Sequence, residues 1–180
     1  MTTNAPKANP GTLYHQKADA SDAGFVSGGL RSFFNYRSTQ MLDATGGLAN
    51  VGVVRAAAPS ASIPGHTGTG EHFHFAAGKN GEPRADKGFH MVIVTKGWLK
   101  FRYEGAETLV KAGDIVHQPI GTKERDGIRH VLFDWSYPTD LNGNPTGQEA
   151  AEYIEVMSPN FDTHQYTPSG HATLQPKLSS

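Results

Sequence analysis

The sequence contains no cysteine. Disulfides, thiolate metal ligands and cysteine nucleophiles are therefore excluded together. No run approaches the ~20 apolar residues that a membrane-spanning helix needs. No block of one charge sign stands out: 16 Lys and Arg oppose 17 Asp and Glu, for a formal net charge of −1. That balance provides no basic field to attract nucleic acid. Hydrophobic residues are sparse at 37%. The polar stretch from Met1 to Pro10 lacks the apolar centre of a signal peptide. A cytoplasmic location is expected, with neither a membrane nor a nucleic acid as partner.

The 180 residues suffice for one domain with a sizeable core. The 21 glycines and 11 prolines imply many turns. Nine histidines are the anomaly, and His66, His72, His74, His90 and His130 fall in or beside the middle third. A cysteine-free chain that takes a transition metal must use imidazole and carboxylate.

Residues 1–24 read as a tail or docked arm, 25–160 as one β-barrel domain and 161–180 as a second tail. Strands are expected over 34–42, 48–56, 71–75, 90–95, 98–103, 108–111, 115–119, 128–135 and 150–157. The last could also form a short helix, but Tyr153, Ile154 and Val156 favour the extended form. Lys96-Gly97, Glu104-Gly105 and Ala112-Gly113-Asp114 mark turns between them. Short strands with frequent turns, no long amphipathic stretch and no internal repeat describe a single all-β sandwich or barrel.

In Glu71–Phe75 (EHFHF) alternation puts His72 and His74 on one face and Phe73 and Phe75 on the other. Two imidazoles at i and i+2 on a strand can reach one ion. H-x-H alone arises readily by chance. His90 opens an apolar strand with Val92 and Val94 on its face, and His130 lies inside another, with Leu132 and Asp134 on its side. Of the neighbours His117 and Gln118, only one faces the interior. His66 sits in a Gly-rich loop, and His15, His164 and His171 fall in the tails. No nucleophile-elbow sequence accompanies them.

These features resemble the cupin superfamily. Its first motif carries an H-x-H pair, then a glutamate followed six residues later by glycine. Six residues, Met91 to Lys96, separate His90 from Gly97, so His90 takes the glutamate position. The second motif runs from a glycine through P-x-G-x-x-H to an asparagine. Gly113 is followed by five residues and Pro119, and Gly127-Ile128-Arg129-His130 supplies G-x-x-H after an insert of about seven residues (IGTKERD). Asp134 takes the asparagine position. Fifteen residues between Gly97 and Gly113 match the compact spacing of microbial single-domain members.

The resemblance implies an all-β cupin double-stranded β-helix, or jelly-roll barrel. It implies one divalent metal ion on His72, His74, His90 and His130, with Gln118, Glu124, Arg125 and Asp134 as substrate-pocket candidates. Histidine in place of glutamate removes the only anionic ligand and leaves a more strongly Lewis-acidic ion. Among relatives, all-histidine sites belong to acetylacetone dioxygenase-like and cysteine dioxygenase-like enzymes. The expected function is an Fe(II) dioxygenase acting on a small dicarbonyl, phenolic or hydroxy-ketone compound. Zn(II), Ni(II), Mn(II) or Cu(II) also suit imidazole. The alternatives are a non-oxidative metal-dependent isomerase, lyase or hydrolase, and a non-catalytic small-ligand-binding cupin. The resemblance further implies a homodimer.

Overall fold

A computed structural model of the chain describes residues 13–15, 24–27, 29–76, 88–121, 127–158, 161–166 and 172–174. Valine-rich β2 (Asn50–Ala56) returns against β1 (Phe34–Ser38), with Phe34 opposite Ala56. β3 (His72–Ala76) follows two short 3-10 turns. The meander β4 (His90–Lys96), β5 (Trp98–Tyr103), β6 (Ala106–Lys111) and β7 (Ile115–His117) comes next. β8 (His130–Trp135), β9 (Glu152–Met157), β10 (Phe161–Tyr166) and β11 (Ala172–Leu174) complete the strands.

The strands form two sheets, in the orders β1-β2-β9-β4-β7 and β11-β10-β3-β8-β5-β6. Every registered strand pair is antiparallel. The chain crosses from the first sheet to the second at Gly97, whose φ is +62°. A Cβ there would collide with the Ser136 hydroxyl, so this corner requires glycine for conformation and space alike. The inward residues Phe34, Val54, Val92, Val94, Leu99, Phe101, Leu132, Trp135 and Tyr153 form one core cluster. Both sheets contribute to it, as a two-layer fold requires. Among the described residues no helix is long and apolar enough to cross a membrane.

Several boundaries differ from those expected. The first strand stops at Ser38, and Met41–Ala44 forms α1. The Thr39 hydroxyl starts that turn by accepting the Met41 N–H at 3.2 Å. Residues 152–157 do form the favoured strand. The segment expected as a C-terminal tail is extended over 161–166 and pairs with β3. The unpaired edge of β3 needs backbone partners, and that demand outweighs the tail-like composition. Most of residues 1–24 lies outside the described residues; within it, the Tyr14 hydroxyl accepts the Gln40 N–H at 3.1 Å.

Candidate metal centre

β3 and β8 pair through His72 and His130. Directly opposed residues on neighbouring strands hold their side chains together on one face. The two rings lie 4.4 Å apart between centroids, with His74 at 4.9 Å from His72 and 5.0 Å from His130. One nitrogen from each of the three imidazoles lies within 4.8 Å of the others, and all three residues are buried.

Backbone carbonyls fix two of the tautomers. His72 Nδ1 sits 2.7 Å from the Gly70 carbonyl, and His130 Nδ1 sits 2.9 Å from that of Ile128. A carbonyl only accepts, so both Nδ1 atoms carry the proton and both Nε2 atoms keep a lone pair. Burial lowers the His72 pKa to about 3, helped by the neighbouring His130. Burial likewise lowers His130 to about 4. Both rings are thus neutral near pH 7, with an oriented donor nitrogen and no bound proton to displace. The donor set therefore fits a divalent transition metal ion.

His90 arrives from the other sheet. Its ring lies 4.8 Å from that of His74 and perpendicular to it, at 87°. It is buried, but it is not one of the three residues whose donor atoms cluster. His90 Nε2 instead lies 3.7 Å from Glu155 Oε1 on β9. A carboxylate from another strand thus lies beside His90. Only the alternation of Glu152–Met157, which puts Glu155 on the face of buried Tyr153, hinted at it in sequence.

The other candidates separate. Gln118 is buried, and its amide donates to the Tyr103 hydroxyl at 2.8 Å. The Tyr103 ring lies 5.8 Å from that of His130, and burial raises this phenol to about 12. The Gln118 carbonyl, Oε1, has no hydrogen-bond partner among the described residues. Gln118 faces inward and His117 outward, which resolves that pair.

Asp134 does not share the face of His130 and Leu132. A bulge at β8, between the positions facing Lys100 and Phe101, shifts the alternation by one residue. Leu132 and Trp135 both enter the core, and Asp134 turns outward to Lys100 Nζ at 3.1 Å and the Ser60 hydroxyl. Glu124 and Arg125 lie outside the described residues, as does neighbouring Lys123. The insert that contains them is tied at its base. Ile128 N–H donates to the Pro119 carbonyl at 2.8 Å, and Gly121 N–H donates to that of His74 at 2.7 Å. A Cβ at Gly127 would collide with the His74 carbonyl oxygen, so that close approach also requires glycine. Glu71 lies at the surface, 3.6 Å from Arg129.

No family model matches the sequence, and no curated protein does. Solved structures show distant similarity. The EutQ protein of Clostridium difficile aligns at 12% identity and TM-score 0.37, over 70% of this chain. The chain spans 62% of the length of that protein. A Cupin 2 conserved barrel domain protein from Salinispora arenicola aligns at 12% identity and TM-score 0.41, over 81% of this chain and 90% of its own. A sugar phosphate isomerase from a cupin superfamily, from Silicibacter pomeroyi, aligns at 13% identity and TM-score 0.43, over 82% and 79%. At such scores neither substrate nor reaction transfers. The chain's own architecture supports the all-β expectation: two antiparallel sheets bring strand-borne histidines together inside a two-layer fold.

Proposed function

We propose that this protein is a metal-dependent enzyme whose ion is held by His72, His74 and His130, with His90 completing the imidazole set. Its reaction is the oxygenation of a small anionic chelating compound, a dicarbonyl, phenol or hydroxy-ketone, with Fe(II). The observation that supports a metal here is the hydrogen bonding of Nδ1 on His72 and His130 to backbone carbonyls, which leaves both Nε2 lone pairs for a ligand; the iron and the oxygenation come from the sequence resemblance. When bound, such an ion would supply Lewis acidity and redox chemistry.

The surrounding residues have separate tasks. The carbonyls of Gly70 and Ile128 orient the imidazoles. Gln118, held by Tyr103, offers a buried acceptor to a hydroxyl or enol hydrogen of the substrate. The apolar cluster of Val92, Leu99 and Phe101 keeps water from the interior beneath. The test is turnover of the purified iron form with and without O2. Oxygen-dependent turnover is expected. Undiminished anaerobic turnover, or full activity with zinc in place of iron, removes the oxygenase assignment in favour of a non-oxidative reaction.

A further inference from the structure

We propose that Glu155 is the carboxylate of this metal centre and acts through His90, as a positioning residue; this rests on the metal assignment above. β9 lies between β2 and β4, and Glu155 stands opposite Gly52 on one side and Val92 on the other. Alternation puts it on the face of Tyr153, which belongs to the core. Gly52 presents no side chain to Glu155 on that flank, and a Cβ there would meet the Arg37 carbonyl oxygen at 3.9 Å. The Glu155 carboxylate is mostly shielded, at 27% exposure, and lies 3.7 Å from the buried His90 imidazole. The phenols of Tyr36 and Tyr153 are raised by burial and then by the Glu155 charge, as expected for a carboxylate facing the interior.

The resulting order in space is Glu155, His90, His74, with the two rings perpendicular. A ligating imidazole generally donates its other N–H to a carboxylate or carbonyl, which fixes its tautomer and raises its basicity. His72 and His130 use carbonyls for this purpose. His90 uses Glu155. An approach of about half an ångström brings the pair within hydrogen-bond range. The carboxylate also offsets the charge that neutral nitrogen donors leave on a divalent ion. Because Glu155 lies on the Nε2 side, Nδ1 is the His90 nitrogen left for the ion. That is the reverse of His72 and His130.

Competition against a chromophoric chelator measures Zn(II) affinity for the wild type, Glu155→Gln, His90→Ala and the double variant. His72→Ala serves as the control that abolishes the site. Glu155→Gln is expected to weaken binding by roughly 10- to 100-fold. The double variant should lose no more than His90→Ala alone, because Glu155 acts through that ring. Wild-type affinity in Glu155→Gln overturns the proposal, and so does a loss that adds to that of His90→Ala. Should Glu155→Gln fold poorly, long-range 1H–15N spectra of the wild-type zinc form decide instead. Coordination of His90 through Nδ1 supports the proposal, while Nε2 coordination or an unbound His90 ends it. A wild type that binds no zinc, indistinguishable from His72→Ala, removes the metal assignment itself.

Discussion

At the scale of single residues, the centre depends on keeping imidazoles neutral inside a barrel. The ordinary His pKa of 6.5 is lowered to about 3 at His72 and about 4 at His130, in both cases chiefly by burial. Below pH 6.5 the unfolded chain binds protons that the folded chain refuses. The contribution of each ring is thus complete above about pH 6.5. It is lost as pH falls toward about 4 for His130 and about 3 for His72. The slope is about 1.4 kcal/mol per pH unit for each ring. Urea unfolding of the metal-free protein from pH 7 to pH 4.5 should show this fall, and His130→Gln should flatten it. A pH-independent midpoint would exclude the buried neutral rings. The shared face of His72 and His74 was legible because alternation within one short strand is a local rule. Asp134 was misread because a bulge breaks that rule and leaves no mark in composition. Glu155 was overlooked because its partner lies on another strand.

At the scale of elements, turn residues decided what could be read. β5 matches its expected bounds because Gly97 and Gly105 punctuate both ends. Gly97→Ala should destabilise the fold by roughly 2–4 kcal/mol, from forced φ and collision with the Ser136 hydroxyl. Chemical denaturation tests this. An effect near zero would mean that the corner is free to move. β10 escaped detection because its pattern lacks the valines and glycines that announced β2 and β5. Its pairing nevertheless matters. β3 carries His72 and His74, and it is registered with β10 over five residue pairs but with β8 through one. A chain ending at residue 160 should therefore lose metal stoichiometry as well as stability. Metal analysis of the truncated protein beside the full chain checks this. Full occupancy after truncation would mean that β8 alone holds β3.

At the scale of the whole molecule, the histidine rings meet between the two layers: His72, His74 and His130 come from one sheet, and His90, in ring contact with His74, from the other. An ion that binds the folded chain alone stabilises it by mass action, by about 2.7 kcal/mol at a free concentration one hundred times Kd. Thermal melting with and without added Zn(II) should separate accordingly in the wild type and coincide in His72→Ala. Among the described residues β6 and β7 end their sheets, and each carries an exposed apolar side chain, Leu109 and Ile115. A homodimer is the expected state. Light scattering that gives a monomer mass at micromolar concentration would exclude it.

Ile128 meets Pro119, and Gly127 rests on the His74 backbone, so residues that follow the insert in sequence are pinned to the strand that carries the histidine pair. A side chain added at Gly127 would press on the His74 carbonyl and be felt at the imidazoles, more than fifty positions away along the chain.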